Sequence, residues 1–301
     1  NVFPVPDGDT GTNMNLTMRS GVQELRSRPS LSLGTAAEAL SRGLLMGARG
    51  NSGVILSQLF RGFARGAAGH DELNAVQFAG ALQQGVDTAY KSVVKPVEGT
   101  ILTVARESAR HAVSIARRTP DIAALMREVL AKAKETLQRT PDMLPILKQV
   151  GVVDSGGQGL VHLYEGFAAY LSGEATVEAV EMPAAAEVFA PAAAAPPARR
   201  AESAPAQSRV ATESIEFPYD MEFFIRRPER MPAGMRFDRE WFTRALEKDG
   251  DSVIIIEDGD IIKVHVHSRK PGDVLNLALP YGELIDIRIL NMREQHRELL
   301  E

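Results

Sequence analysis

The 301-residue chain contains no cysteine, which excludes disulfide bonds, thiolate metal ligands and cysteine nucleophiles. This composition is compatible with a cytoplasmic protein. No apolar run approaches the ~20 residues that a transmembrane helix needs, and no signal peptide is visible. Aromatic residues make up only 6% of the chain against 44% hydrophobic residues. The sequence therefore favours a core of Leu, Val and Ala side chains.

Two further absences narrow the classes of function. The net charge is −5 and the Lys and Arg residues are dispersed, which argues against a nucleic-acid partner. The phosphate-binding pattern G-x-x-x-x-G-K-[ST] does not occur, and no Ser/His/Asp arrangement supports a nucleophilic hydrolase. At 301 residues the chain is nevertheless long enough for two domains.

What the sequence does contain is a turn of two aspartates and two glycines near its start, Asp7-Gly8-Asp9-Thr10-Gly11. A stretch with helical periodicity follows directly. Carboxylates suit a hard divalent cation, and the free N–H groups at the start of a helix suit phosphate. The turn therefore indicates a metal–nucleotide site. An ordinary turn with a helix N-cap remains the alternative, since Asp, Gly and Thr are common there.

Three later turns have the same character, and each precedes an amphipathic run. They span residues 47–53, 95–100 and 154–159. Eight helical segments with short links and no alternating strand pattern predict an all-α bundle over residues 1–172. Asp71 is expected to cap the fourth helix, and Pro141-Asp142 to begin the seventh. Four polar turns at the starts of helices predict a functional site at one end of the bundle.

The composition and the period both change after this bundle. Residues 173–212 form an Ala/Pro-rich tract that predicts a disordered linker, because it lacks large apolar residues to bury. Residues 213–301 show period-two alternation, a hairpin signal at Asp258-Gly259 and two helical segments. We therefore expect a multi-domain protein, with an all-α antiparallel helical barrel followed by a small α/β domain.

The four turns, as VPDGDTGTNM, GARGNSGVILSQ, KPVEGTILTV and VVDSGGQGL, resemble the nucleotide-binding domain of the dihydroxyacetone kinase L-subunit. Together with EFFI, KVHVH and NMREQH in the second half, they resemble more narrowly the bacterial fatty acid kinase ATP-binding subunit. The resemblance spans nearly the whole chain except the linker. It implies a helical barrel that binds ATP at one end with two Mg²⁺ ions.

The resemblance assigns roles to residues of all four turns. It implies that Asp7 and Asp9 bind Mg²⁺ and carry the catalysis. A third aspartate of the family is missing here, and Asn1 could supply a carbonyl oxygen in its place. The remaining positions are implied to bind nucleotide, with N-capping as the alternative for the later ones: Thr10, Gly11, Thr12, Asn13, Arg49, Asn51, Ser52, Gly53, Thr100, Asp154, Gly156 and Gly157.

A second metal site is indicated in the α/β domain. His265 and His267 lie two apart on a predicted strand and therefore face the same side. Two imidazoles on one face suit Zn²⁺. The family completes such a site with a cysteine, and Asp220 stands at that place in this sequence. Surface histidines that only form hydrogen bonds are the alternative.

The resemblance implies an enzyme that transfers the γ-phosphate of ATP to a fatty acid carboxylate held by a separate fatty-acid-binding carrier protein, giving acyl phosphate. The alternatives are part of a dihydroxyacetone-type kinase and a non-catalytic nucleotide-sensing adaptor. A homodimer is left open. Both ends look cut, the N-terminal helix of the barrel is expected to be truncated, and the linker predicts only transient docking of the second domain.

Overall fold

The computed structural model describes residues 1–174, 206–231 and 235–301. It confirms a helical barrel followed by a small α/β domain. The bounds of the eight barrel helices are α1 Thr10–Ser27, α2 Leu33–Gly47, α3 Gly50–Ala67, α4 Ala75–Ser92, α5 Ile101–Ile115, α6 Ile122–Met143, α7 Pro145–Val150 and α8 Ser155–Leu171. Successive helices pack on one another, and α8 returns to α1 and closes the ring.

Two helix boundaries differ from the sequence prediction, and each has a local cause. Asn74, not Asp71, caps α4, because the Asn74 and Gln77 side chains each accept a hydrogen bond from the other residue's backbone N–H at 2.9 Å. Pro141 does not begin a helix but lies inside α6. The Thr140 hydroxyl donates to the Leu137 carbonyl at 2.7 Å, satisfying the acceptor that proline cannot reach.

The second domain is a four-stranded antiparallel sheet with three helices. The strands are β1 Tyr219–Arg226, β2 Gly250–Asp258, β3 Ile261–Ser268 and β4 Glu283–Asn291, in the spatial order β2-β3-β1-β4. Its helices are α9 Arg239–Glu247, α10 Pro271–Ala278 and α11 Met292–Leu300. Two aromatic residues at the core, Phe223 and Phe242, are completely buried. The sequence analysis did not predict α11.

The second domain packs directly on the barrel; that its docking is transient stays a prediction. Ile254 and Ile256 of β2 are buried in the same apolar cluster as the barrel helices. The Val94 N–H donates to the Val253 carbonyl at 3.3 Å, adjacent to an antiparallel bridge between Val93 and Ile254. Shared apolar burial and backbone pairing hold two surfaces together more strongly than a tether does.

Most of the predicted linker, residues 175–205, lies outside the described residues. Its last part is described and has regular structure, with a 3₁₀ turn over Ala206–Arg209. The Arg209 guanidinium donates to the Val150 carbonyl at 2.6 Å, and buried His296 of α11 contacts both Thr212 and Gln207. This segment therefore joins the barrel to α11. Among the described residues, no helix is long and apolar enough to cross a membrane.

Candidate nucleotide and metal site

The Asp7–Asp9 turn immediately precedes α1. Gly8 has φ +75°, a left-handed conformation that glycine adopts without steric cost. Asp9 occupies the N-cap position of α1, yet its side chain makes no capping hydrogen bond. The Asp9 carboxylate is therefore not used as the helix cap that the alternative interpretation required.

Asp7 lies where several carboxylates converge. Burial, together with the neighbouring Asp9 and Asp220 carboxylates, raises the pKa of Asp7 from 3.8 to about 8. The Asn1 carboxamide donates a hydrogen bond to Asp7, while the Asn1 oxygen accepts one from Ser155 at 3.4 Å. A bound cation would offset the repulsion among carboxylates that converge in this way.

These acids open into a small cavity of about 20 Å³, which we call the phosphate-side cavity. That volume suffices for a single water molecule or ion. Its lining combines the turn before α1, the start of α1, the start of α3 and the second domain: Asn1, Pro4, Asp7, Asp9, Thr10, Asn13, Gly50, Asn51, Ser52, Asp220 and His267. The structure thus brings together most of the residues predicted to hold metal and phosphate.

Asp220, His265 and His267 form one buried cluster at the edge of this cavity. Asp220 pairs with His267 across β1 and β3, and one Asp220 oxygen lies 3.5 Å from His265 Nδ1 and 3.9 Å from His267 Nε2. One ligand atom from each of the three residues lies within 4.8 Å of the others. The three residues predicted to bind Zn²⁺ are therefore in mutual reach.

The donor atoms of this cluster fit a metal ion. Asp220 Oδ1 and His265 Nε2 are buried and have no hydrogen-bond partner within the part of the chain that the structure describes. Such unpartnered polar atoms are costly in a protein interior. Burial, with Glu222 and Asp9 nearby, raises the pKa of Asp220 to about 7. Burial and the adjacent His265 lower the pKa of His267 well below its usual value, which leaves a neutral imidazole able to bind metal.

Sequence analysis missed two buried residues that connect the sheet to the barrel. Lys263 Nζ donates to the Ala48 carbonyl at 3.0 Å and lies 4.4 Å from the centre of the Phe224 ring. Burial lowers its pKa to about 8. The Glu222 carboxylate accepts from the Gly50 N–H at the start of α3. The alternation of polar and apolar residues in KVHVH carried a signal, because it places Lys263 on the same face as the two histidines.

A larger cavity of about 290 Å³ lies between the barrel and the second domain, and we call it the interdomain slot. It shares Pro4, Asn51 and Ser52 with the phosphate-side cavity. Its barrel wall is largely apolar: Ile55, Val93, Val94, Val97, Ile101 and Leu102. A polar cavity that continues into an apolar slot matches the polarity of a nucleoside triphosphate.

Thr100 and Asp154 line this slot and also cap helices. The Thr100 hydroxyl oxygen accepts from the Leu102 N–H at 3.4 Å, and Asp154 Oδ2 accepts from the Gly157 N–H at 2.7 Å. Burial raises the pKa of Asp154 to about 6, against the effect of the Gly157 and Ile101 backbone N–H groups. In this geometry Thr100 and Asp154 can each cap a helix and also contact a nucleotide, so the two interpretations are compatible.

Some predicted nucleotide residues do not line either cavity. Gly53, Gly156 and Gly157 lie where helices approach closely; for example, a Cβ added at Gly156 would lie 2.9 Å from Ser52 Oγ. Their small size serves the packing of the helix starts. Gly11 and Thr12 are exposed in the first turn of α1.

Arg49 is also outside both cavities. Its side chain interacts electrostatically with Arg288, Glu222 and Asp286 of the second domain, and burial with the nearby Arg288 lowers its pKa. In this structure the Arg49 guanidinium therefore faces the domain interface, while its backbone N–H donates to the Thr17 hydroxyl at 3.1 Å.

Comparison with known families agrees with this geometry. The DAK2 domain family matches residues 4–169, which is more than half of the chain. The chain belongs to the DAK2 domain family. The family of middle domains from FakA-like fatty acid kinases matches residues 216–299, which correspond to the sheet domain. The DAK2 match thus covers the barrel, and the second match covers the domain that completes the phosphate-side cavity.

Curated relatives extend the same domain order over the whole chain. This DAK2-domain chain is 51% identical over 300 residues to Protein YloV of Bacillus subtilis (strain 168). It is 48% identical to Uncharacterized protein SH1689 of Staphylococcus haemolyticus and 47% identical to Uncharacterized protein SAUSA300_1119 of Staphylococcus aureus (strain USA300), each over 300 residues. These alignments cover 100% of this chain and 52% of each relative, so the chain spans about half their length.

Proposed function

We propose that this chain is the ATP-binding part of a kinase that transfers the γ-phosphate of ATP to a fatty acid carboxylate. The observation that carries the proposal is the convergence of Asp7, Asp9 and Asp220 on a cavity at the starts of α1 and α3. Helix starts present free N–H groups to phosphate, and grouped carboxylates hold the cations that accompany it. The fatty-acid-kinase-like middle domain supports the choice of acceptor.

Each group in the site has a role in this scheme. Asp7 and Asp9 would hold Mg²⁺, with two ions expected from the family resemblance. Bound Mg²⁺ neutralises charge on the transferring phosphoryl group and bridges it to the protein. The N–H groups at the start of α1 and the side chains of Asn13, Asn51 and Ser52 would orient the phosphates. The base would occupy the interdomain slot, near Thr100 and Asp154.

A carboxylate acceptor would need no general base. A fatty acid carboxyl group is ionised at neutral pH, so its oxygen can attack the γ-phosphorus directly. One P–O bond forms to the carboxylate, the bond to the β–γ bridging oxygen breaks, and ADP leaves with the electron pair. A hydroxyl acceptor such as dihydroxyacetone would also have to lose a proton.

The acyl chain would be held by another protein. Apart from Pro4 and Gly50, the residues that line the phosphate-side cavity are polar or ionisable. Such a lining offers no surface on which a long hydrocarbon could be buried. We therefore propose that a separate fatty-acid-binding carrier protein presents the carboxylate at the mouth of this cavity.

We further propose that Asp220, His265 and His267 hold a Zn²⁺ ion next to the Mg²⁺–nucleotide. Two histidines and one aspartate would give three protein ligands, a donor set that suits Zn²⁺. Because Asp220 and His267 also line the phosphate-side cavity, this metal would lie beside the phosphates. Its charge there would add to the stabilisation of the transferring group.

The test is a product assay with the full-length protein, MgATP and a fatty acid bound to a carrier. Acyl phosphate would be trapped with hydroxylamine and measured as acyl hydroxamate. We expect product with the unaltered protein and with Asp260→Asn, an exposed turn aspartate outside both cavities, but not with Asp9→Asn. Phosphorylation of dihydroxyacetone without any acyl product would reassign the acceptor. ATP binding without transfer to either would support a sensing role instead.

A further inference from the structure

The second domain supplies one wall of the interdomain slot. That wall consists of Glu247 at the end of α9 and Gly250 to Val253 at the start of β2. Glu247 forms a 3.0 Å ion pair with Lys95 of the barrel, and both residues line the slot. A nucleoside in this slot would therefore contact both domains, although the barrel holds the turns by which the nucleotide site was first predicted.

The wall has an irregular backbone at the point that faces the slot. Register between β2 and β3 shifts between Asp251 and Ile254, which marks a β-bulge. Ser252 in this bulge has φ +53°, a left-handed conformation that non-glycine residues rarely adopt. Bulges near functional sites re-aim side chains, and strained residues concentrate at ligand contacts. The position of the bulge therefore indicates a ligand contact at this wall.

Asp251 lies at the junction of the two cavities. It lines the interdomain slot, and its Oδ1 lies 3.6 Å from Nδ1 of His267, which lines the phosphate-side cavity. In a nucleotide the ribose joins the phosphates to the base. With the base in the interdomain slot and the phosphates at the starts of α1 and α3, the ribose would lie beside the Asp251 side chain.

From this placement we infer that Asp251 of the second domain binds the ribose hydroxyls of the nucleotide, and that nucleotide binding thereby fastens the second domain to the barrel. The inference rests on the proposed ATP site. A carboxylate accepts two hydrogen bonds from neighbouring hydroxyls, as acidic residues do in other nucleotide sites. The Asp251 side chain is 55% exposed, so its carboxylate can accept these hydrogen bonds from solvent-accessible hydroxyls while it stays beside His267.

The decisive experiment compares Asp251→Ala with Asp260→Ala in residues 1–301. Dissociation constants would be measured by calorimetry, in the presence of Mg²⁺, for ATP, 2′,3′-dideoxy-ATP and inorganic tripolyphosphate. We expect Asp251→Ala to weaken ATP binding about tenfold, because a charge-assisted hydrogen bond is lost. It should change the dissociation constants of dideoxy-ATP and tripolyphosphate by less than about twofold. Asp260→Ala should leave all three dissociation constants unchanged.

Each other result contradicts the inference. Equal weakening of tripolyphosphate would show that Asp251 acts through His267 and the metal cluster, and unchanged ATP binding would show that it does not touch the ribose. Failure of the unaltered chain to bind either ATP or tripolyphosphate would overturn the proposed function, and this inference with it. The two failures are therefore distinguishable.

Hydrogen exchange on the unaltered chain provides a second readout that needs no substitution. MgATP should slow amide exchange over residues 250–254, whereas Mg²⁺–tripolyphosphate should slow it only at the starts of α1 and α3. Protection by ATP confined to the barrel would contradict a ribose contact from the second domain.

Discussion

Replacing Asp7 with Asn should stabilise the metal-free protein while abolishing its response to Mg²⁺ and ATP. Asp7 has a pKa of about 8 in the folded protein against 3.8 in a free chain. A folded-state pKa raised in this way means that the folded protein binds the proton more tightly. Stability of the metal-free protein is therefore lost as pH rises from about 4 to about 8. Asn keeps the shape of the side chain and removes this charge.

The size of the effect follows from the pKa difference. At pH 7 the ~3 units between 3.8 and 7 correspond to about 4 kcal/mol at about 1.4 kcal/mol per unit. The repulsion is shared among Asp7, Asp9 and Asp220. We therefore expect the substitution to recover about half of this free energy, ~2 kcal/mol. For a domain of this size that is a rise in Tm of roughly 4–8 °C.

The assay is thermal unfolding in EDTA at pH 5 and pH 8, and again with Mg²⁺ and ATP. Asp7→Asn should exceed the unaltered protein in Tm at pH 8, with a smaller difference at pH 5. Saturating MgATP should raise the Tm of the unaltered protein but not that of the variant. At a hundredfold excess of ligand over Kd, the expected gain in the free energy of unfolding is about 2.7 kcal/mol. A variant that is less stable in EDTA at pH 8, or that keeps the full MgATP response, would refute the reasoning. Asp260→Asn is the matched control.

Three other predictions follow from the same site. Asp9→Asn should lower the rate of phosphoryl transfer more than a hundredfold, since a Mg²⁺ ligand would be lost; unchanged turnover and Mg²⁺ dependence would make Asp9 structural. Asp154→Asn should be at least as stable as the unaltered protein at pH 8, because the buried carboxylate, with its pKa of about 6, is ionised there. The variant should lose that advantage towards pH 4. Lower stability of the variant at pH 8 would mean that the charge itself stabilises the cap. Elemental analysis should find Zn²⁺ in the unaltered protein and not in His265→Ala, whereas equal metal content in the two would exclude His265 as a ligand.

The sequence was sufficient for features whose cause is local. The helices follow from apolar periodicity, and HVH places both histidines on one face because strand side chains alternate. Asp7 and Asp9 were identifiable as candidates because two carboxylates stand one residue apart directly before a helix start. These features depend on residues close together in the chain, and the structure reproduces them.

What could not be predicted depends on residues far apart in the chain. Gly53 and Gly156 lie in glycine-rich turns, and only the neighbouring helix shows that their size serves packing. Asp251 carried no motif, because its placement results from a bulge in the pairing of β2 with β3. The sheet packs on the barrel through Ile254 and Ile256. Their apolar run predicts that they are buried, but it does not identify the surface that covers them.

The most direct test of a nucleotide site completed by the second domain is a crystal structure with Mn²⁺ and a non-hydrolysable ATP analogue. Anomalous scattering would locate Mn²⁺ independently of the protein coordinates. The account predicts Mn²⁺ bound by Asp7 and Asp9, phosphates at the starts of α1 and α3, and the base in the slot bounded by Val93 and Val253. Nucleotide bound elsewhere, or Mn²⁺ that avoids both aspartates, would contradict it.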